Sequence, residues 1–178
     1  MQPLPRDLLQ ALQARAARDA LGGAAGTRSA GAKGAVRAGR AFLCEIDLRT
    51  FRTPNAARFL AALDETTEGL RLAFPEEARH WGLARKGLNI FLRDCLSNVY
   101  LREAYTLQGA EPLYEVPLDS ITGHALYDLS DGTLPRWGTV KDLTPEESEA
   151  YQDVAAQVAE SRGIARVHLD AIWWEQRG

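Results

Sequence analysis

The sequence predicts a single all-α domain. Apolar residues recur at intervals of three and four through most of the 178 residues, which is the spacing of amphipathic helices. Two segments open with a capping threonine followed by proline, at Thr53 and at Thr144, a common start for a helix. With 46% hydrophobic and 25% charged residues, the chain has the ordinary composition of one globular domain of this length.

The N-terminal part is predicted to contain a helix, a flexible loop and a short extended segment. The helix covers residues 6–21, where leucines recur at helical spacing until Gly22 ends it. The loop covers about residues 22–40, because glycine, alanine, serine, threonine and basic residues offer nothing large enough to anchor a core. The extended segment is indicated by four apolar residues in alternation: Phe42, Cys44, Ile46 and Leu48.

Three helices are predicted in the middle of the chain. The first follows Thr53-Pro54 and runs toward Phe74. Pro75 then starts a second helix, whose first turn holds two glutamates that suit the helix dipole. The third helix, over residues 84–105, is the longest, and one face of it is apolar. That face comprises Leu88, Phe91, Leu92, Cys95, Leu96 and Val99.

Three further helices are predicted in the C-terminal part. Asp119 caps a short helix that runs to Leu126. Thr144 is followed by proline and, three residues on, by glutamate, which is the signature of a capping box; the helix that it opens ends at Gly163. The last predicted helix carries residues 168–174.

Composition excludes two classes of protein. The chain carries 21 basic and 24 acidic residues, a net charge of −3, so it is not a uniformly basic nucleic-acid-binding protein, although a local basic face stays open. No apolar run approaches the roughly 18 to 20 residues of a membrane span, and residues 1–6 lack the build of a signal peptide. We therefore expect a cytoplasmic protein with no membrane partner.

The cysteines and histidines predict no metal site. Cys44 and Cys95 are far apart and outside any Cys-x-x-Cys motif, so we expect two buried structural thiols rather than a disulfide framework. His80, His124 and His168 lack the spacing of metal ligands. We accordingly predict neither a metal nor a cofactor.

Lys86 and Asp119 are the candidate pair for amine chemistry. Lys86 lies at the start of the most apolar helix and shares a helical face with Asn89 and Arg93. Burial lowers the pKa of a lysine and a nearby carboxylate raises it, so their balance decides whether a neutral amine is available for nucleophilic attack. The alternative interpretation is a surface lysine and an aspartate that only caps a helix.

Three segments in residues 75–178 together resemble the helix-hairpin-helix DNA glycosylases. Residues 82–86 (Gly-Leu-Ala-Arg-Lys) resemble the hairpin and the catalytic lysine of that superfamily, and residues 115–119 (Glu-Val-Pro-Leu-Asp) resemble its catalytic aspartate segment. Residues 163–174 contain a Gly-Ile-x-x-x-His-x-Asp element with a tryptophan four residues after the aspartate. That element is similar to one in the archaeal-type 8-oxoguanine DNA glycosylases.

The resemblance implies a helix-hairpin-helix glycosylase-like fold and a repair function. The protein would be a DNA glycosylase with AP lyase activity that removes an oxidised purine, 8-oxoguanine first of all, from double-stranded DNA. Lys86 would attack C1′ of the sugar to form a Schiff base, and Asp119 would stabilise the developing positive charge. Base contacts are expected from Asp170, Trp174, Arg93 and His168, and backbone contacts from Gly82, Ala84 and Arg85. A monomer that associates with the nucleoid through DNA is the expected form.

A basic window precedes the region of resemblance. Between residues 26 and 58, seven basic residues stand against two acidic ones, a net +5 within a chain of −3. Such a segment contacts phosphate, or it is a mobile tail whose charges only aid solubility, and the sequence leaves both open. The basic residues are Arg28, Lys33, Arg37, Arg40, Arg49, Arg52 and Arg58.

Other interpretations of the sequence stay open. The protein could be a non-catalytic helical module that binds DNA or a protein on a glycosylase-like scaffold, or a glycosylase for another modified base. His168 could be a hydrogen-bonded packing residue, and Asp170 could simply cap the last helix.

Geometry separates these interpretations. If the protein is an enzyme, the Lys86 amine and the Asp119 carboxylate should lie within several ångströms of each other at the rim of one pocket. Asp170 and Trp174, four residues apart on one helix, should face that pocket, while Trp173 should point toward the core.

Overall fold

The structure is a computed structural model, and it describes residues 4–22 and 33–175. Within these ranges the chain forms eight α-helices and four short 3-10 helices, with no strand, which confirms the all-α class. The α-helices are α1 (Arg6–Ala20), α2 (Ala35–Cys44), α3 (Ala56–Ala73), α4 (Trp81–Ser97), α5 (Val99–Tyr105), α6 (Ser120–Leu129), α7 (Pro145–Ser161) and α8 (Leu169–Glu175). The 3-10 helices cover Leu48–Arg52, Glu76–Ala78, Leu107–Leu113 and Arg166–His168.

The predicted loop over residues 22–40 and the extended segment after it are wrong where the structure describes them. Residues 23–32 lie outside the described ranges, but residues 35–44 form α2. Its buried residues Ala35, Gly39 and Leu43 are four apart and form one face. Gly39 is required there, because an added Cβ would lie 2.6 Å from the side chains of Leu21 and Phe74. Small residues that suggest a loop therefore serve close helix packing.

The longest predicted helix is two helices. Asn98 has extended backbone angles (φ −80°, ψ 113°), and its side chain accepts hydrogen bonds from the amides of Tyr100 and Leu101. This residue therefore ends α4 and caps α5.

Two other predicted elements in the middle of the chain differ in the structure. The helix predicted after Pro75 is a single 3-10 turn, and α3 is capped by Asn55 rather than by Thr53.

Two of the predicted helix starts in the C-terminal part are confirmed. Asp119 caps α6, and the Thr144 and Glu147 side chains form the reciprocal capping box at the start of α7. Gly163 has a φ of 68° just after α7, a conformation that glycine adopts without steric strain.

Two clusters of buried apolar side chains fill the protein. The first is built by α1 to α5 with the 3-10 helices at 48–52 and 107–113, and the second by α6, α7, α8 and the segment between α6 and α7. α4 contributes Leu88, Phe91 and Leu92 to the first cluster, while Trp81 at its start packs against the second. The N-terminal half of α4 therefore lies where the two clusters meet.

The two thiols differ in environment. Cys95 is buried in the first cluster, as predicted, and its burial raises its pKa. Cys44 is exposed at the end of α2, so the prediction of two buried thiols is wrong for this residue.

Across the described ranges, no helix has the length and apolar character needed to cross a membrane.

Candidate active site

Lys86 and Asp119 lie close together, as predicted, while their predicted place at the rim of one pocket stays a prediction. The Nζ atom of Lys86 is 3.8 Å from Oδ2 of Asp119. The two side chains are 7% and 17% exposed, so the pair is largely withdrawn from water but touches the surface through the carboxylate. The fold therefore brings two groups that are 33 positions apart in sequence to within the distance of an ion pair.

The two carboxylate oxygens of Asp119 have different partners. Oδ1 accepts hydrogen bonds from the amides of Ile121 (2.9 Å) and Thr122 (3.0 Å), which caps α6. Oδ2 faces Lys86. Because the cap fixes the rotation of the carboxylate, the oxygen that faces the amine is held in place by the helix itself.

The segment that leads to Asp119 is held from α7. The side-chain amide of Gln152 accepts from the Val116 amide (3.1 Å) and donates to the Val116 carbonyl (2.8 Å), and Gln152 is buried. α6 itself is positioned by Trp137, whose ring would lie 2.1 Å from a Cβ added at Gly123. Only glycine permits the indole to lie directly on the helix at that point.

The amine of Lys86 has the electrostatic surroundings of a buried nucleophile. Burial lowers its pKa from the ordinary lysine value, and the carboxylates of Asp119 and Asp170 act in the opposite direction. Burial is the larger effect, so the neutral amine is more accessible near neutral pH than on a surface lysine. The neutral amine is the nucleophilic form.

Asp170 completes the charged group. It lies in the first turn of α8, is 4% exposed, and accepts a hydrogen bond at Oδ2 from Nη1 of Arg93. Burial raises the pKa of Asp170, Arg93 opposes that shift, and the negative charge of Asp119 adds to it. The negative charge of Asp170 raises the pKa of Lys86, and the predicted contact of Asp170 with a base stays a prediction.

The two tryptophans of α8 were expected to point in opposite directions. Trp173 is 6% exposed and packs in the second apolar cluster, which confirms its predicted place in the core. The side chain of Trp174 lies outside what the structure describes, so its predicted stacking on a base stays a prediction.

Arg93, expected to contact the base, is engaged by two carboxylates. Its Nε and Nη2 donate to Oδ1 of Asp94 (3.1 Å and 2.9 Å), and Nη1 donates to Asp170. The side chains of Arg93 and Asp94 are about a quarter exposed. The structure therefore connects Arg93 to Asp170, and its predicted contact with the base stays a prediction.

His168 has a packing partner. Its Nε2 lies 2.7 Å from Oε1 of Glu111, which joins the 3-10 helix at 166–168 to the one at 107–113. This contact fits the packing role that the sequence left open for His168. It is a contact with Glu111 and not with Lys86 or Asp119.

The predicted hairpin is not present. α4 begins at Trp81, so Gly82 and Ala84 lie in its first turn and both are buried. An added Cβ at Gly82 would lie 2.1 Å from the Val140 carbonyl oxygen and 2.8 Å from Cβ of Leu143. Gly82 therefore serves close packing against the 140–143 segment, and neither it nor Ala84 is placed to meet a DNA backbone.

The predicted backbone contact by Arg85 is also wrong. Its side chain is 5% exposed, and it donates to both carboxylate oxygens of Glu115 (2.8 Å and 3.0 Å). Nη1 donates to Asp64 and to the Thr67 hydroxyl. A buried guanidinium that is bonded on every side is a structural group, and this one joins α3, α4 and the segment before Asp119.

Sequence reasoning missed the partners of these arginines. Asn89 donates to Oε2 of Glu115 (2.9 Å), and its position one turn after Arg85 could have indicated a shared partner. A cleft of about 260 Å³ opens beside this network, lined by α3, α4 and α7. No signal in the sequence marked Asp94, since a charged neighbour of Arg93 is ordinary on a helix surface.

The basic window is partly used for structure. Nη2 of Arg40 donates to the Arg18 carbonyl (3.0 Å) at the end of α1, and Arg49 pairs with Asp47 at 3.8 Å. Arg28 lies outside the described residues. Contact of the remaining basic side chains with phosphate stays a prediction.

Within the described ranges, no group of three or more His, Cys, Asp or Glu side chains is arranged to hold a metal ion.

We compared the chain with family models, with curated proteins and with solved structures. It matches none of them.

Proposed function

We propose that the protein is a DNA glycosylase with AP lyase activity that removes an oxidised purine, 8-oxoguanine first of all, from duplex DNA. The proposal depends on one observation, the largely buried Lys86 amine 3.8 Å from the Asp119 carboxylate. A lysine with a lowered pKa beside a carboxylate that can accept its proton is the arrangement that amine nucleophiles need. The order in which Lys86, Asp119 and Asp170 occur along the sequence, which resembles that of such glycosylases, adds to this support.

The reaction assigns a task to each group. The neutral Lys86 amine attacks C1′ of the sugar, and the C1′–N bond breaks with its electron pair leaving on the base, which takes up a proton. The new ammonium loses a proton to Oδ2 of Asp119. The sugar ring then opens to a Schiff base as the C1′–O4′ bond breaks and O4′ takes the proton back from Asp119. The freed Asp119 carboxylate accepts a C2′ proton, and the 3′ phosphate leaves with the electron pair of its bond to C3′.

Asp119 also acts before the new bond is complete. Positive charge develops on the sugar as the base departs, and a carboxylate fixed at the site stabilises that charge without reorganising. The α6 cap keeps Oδ2 in position throughout, because Oδ1 remains bound to two amides.

Recognition of the base is assigned to α8. Oδ2 of Asp170 is occupied by Arg93, and Oδ1 is the oxygen proposed to accept an N–H of the flipped purine. Trp174 is proposed to stack on the base, as the resemblance implies.

Borohydride trapping tests the proposal. The full chain is incubated with duplexes that contain 8-oxoguanine, another oxidised purine, an abasic site or no damage, and borohydride is added to reduce any Schiff base. We expect a covalent adduct with an oxidised-purine duplex and with the abasic duplex, located at Lys86 by peptide mass spectrometry. Specific binding to damaged DNA without an adduct on any of them would overturn the enzymatic proposal in favour of a non-catalytic binding module.

A further inference from the structure

The two groups of the candidate pair belong to different parts of the fold. Lys86 lies on α4, most of whose apolar side chains fill the first cluster. Asp119 caps α6, which packs against α7 and α8 in the second cluster. The contacts that join α4 to α6 and α7 therefore set the distance between the amine and the carboxylate.

Glu115 binds the helix that carries Lys86. Its two carboxylate oxygens accept from Nε (2.8 Å) and Nη2 (3.0 Å) of Arg85, and Oε2 also accepts from Nδ2 of Asn89 (2.9 Å). Arg85 and Asn89 are about one turn apart on α4, with Lys86 between them in sequence, and the three bonded side chains are buried. Because a two-pronged bond to a planar guanidinium fixes orientation as well as distance, this contact ties residue 115 firmly to α4.

The next residue along the chain is bound from α7. The side-chain amide of Gln152 accepts from the Val116 amide (3.1 Å) and donates to the Val116 carbonyl (2.8 Å). Gln152 is 2% exposed and Val116 is fully buried, so both bonds are shielded from water. Two bonds from one side chain fix the rotation of this backbone unit as well as its place.

A stiff stretch of chain connects Val116 to Asp119. Pro117 follows directly, and a proline ring fixes its own φ and restricts the preceding residue to extended conformations. Pro117 and Leu118 are both buried, and Asp119 then caps α6 through Oδ1. A shift of Val116 is therefore passed on to Asp119, because this stretch has little freedom to absorb it.

We propose that Glu115 and Gln152 are positioning residues: they hold residues 115 and 116 between α4 and α7 and so keep Oδ2 of Asp119 at the Lys86 amine. Both act through Asp119, and neither needs to touch DNA. The catalytic meaning of this inference rests on the proposed function, whereas the distance between the two atoms can be measured without DNA.

Crystal structures of the wild-type and Gln152→Met proteins test the geometry. Methionine is as long as glutamine but has no amide, so Val116 loses both bonds. We expect the distance from Nζ of Lys86 to Oδ2 of Asp119 to increase by about 1 Å or more, a misplacement large enough to affect a reaction. Gln13→Met is the matched control, because Gln13 is also buried and its amide donates to backbone carbonyls at the end of α2. It should leave the distance unchanged.

Two outcomes overturn the inference. One is an unchanged distance in a folded Gln152→Met protein, which would mean that the packing of Trp137 on Gly123 holds α6 by itself. The other is an equal increase in Gln13→Met, which would mean that any loss of a buried amide loosens the pair.

Glu115→Gln covers the case in which Gln152→Met does not fold, since that variant leaves two buried backbone groups without a partner. The new glutamine keeps one accepting oxygen but loses the two-pronged bond to Arg85, so the distance should again increase. Asp64→Asn is its control, because Asp64 accepts from Nη1 of the same guanidinium but lies on α3, which carries neither group of the pair. If only Glu115→Gln folds, an unchanged distance in that protein contradicts the inference.

The rate of trapping on abasic-site DNA tests the catalytic consequence. Abasic DNA has no base to recognise, so the rate at saturating DNA depends on Lys86 and Asp119 and not on base contacts. A misplacement of about 1 Å can slow a reaction about 100-fold, and we expect Gln152→Met to slow adduct formation at least about tenfold while Gln13→Met matches the wild type. A longer distance with an unchanged rate overturns the catalytic role. If the wild-type protein forms no adduct, the proposed function fails while the distances still decide the inference.

Discussion

Asp119 holds Lys86 with one carboxylate oxygen and the first turn of α6 with the other. Oδ2 lies 3.8 Å from the Lys86 amine, and Oδ1 accepts from two backbone amides. The helix cap that the sequence predicts and the charge that the chemistry needs are therefore properties of the same side chain. Substitutions can separate the two.

The first prediction concerns the amine. Lys86→Gln should abolish the borohydride adduct and strand cleavage, because an amide cannot form a Schiff base. Glutamine is nearly as good a helix former and Asp119 keeps its two amide partners, but the loss of one partner of a largely buried ion pair should lower the free energy of unfolding by about 3 kcal/mol. Chemical denaturation and trapping on one preparation measure both quantities. A folded Lys86→Gln protein that still forms an adduct contradicts the assignment.

The second prediction separates the two oxygens of Asp119. Asp119→Asn keeps an oxygen for the cap and loses the charge, so stability should stay near wild type while single-turnover base release slows at least about tenfold. Asp119→Ala loses the cap as well and should be less stable by a further ~1 kcal/mol.

Thr144→Ala is the matched control for the cap. It removes the cap of α7 and should lose a similar amount of stability with base release unchanged. Slow release in Thr144→Ala would show that loss of stability alone explains the Asp119 variants.

The third prediction concerns Gly82. Alanine is the better helix former, yet Gly82→Ala should lower the free energy of unfolding by about 2 kcal/mol or more, because the new Cβ meets the backbone of Val140. Gly138→Ala, where a Cβ would meet nothing within 4 Å, should stay within about 0.5 kcal/mol of wild type. If the two variants are equally stable and Gly82→Ala binds DNA more weakly, Gly82 contacts the DNA backbone and the packing role assigned here is wrong.

The fourth prediction is the pH dependence of stability due to Asp170. Its pKa is raised in the folded protein, so the stability linked to it is full below the unfolded pKa, about 4, and is lost as pH rises through the folded pKa. Asparagine does not titrate. Stability measured from pH 4 to 7 should therefore fall in wild type relative to Asp170→Asn. A relative gain as pH rises would mean that Arg93 outweighs burial.

Local signals predicted the parts of the fold that are decided within a few residues. The caps at Asp119 and Thr144 and the glycine after α7 depend on hydrogen bonds and backbone angles between near neighbours, so the residue types alone indicate them. The N-terminal region was mispredicted, because the small residues of α2 are needed for close packing against Leu21 and Phe74. These two residues lie elsewhere in the chain, so the local sequence does not indicate the contact.

The sequence by itself determined the all-α class and the residue types of the amine–carboxylate pair, since helical spacing and side-chain chemistry are carried by the residues. Only the tertiary structure decided which charges meet. Arg85 and Lys86 are adjacent on α4, yet a helical turn of about 100° per residue directs one to Glu115 and the other to Asp119. Burial then set the proton affinity of each group, because the loss of water around a charge depends on every element packed against it.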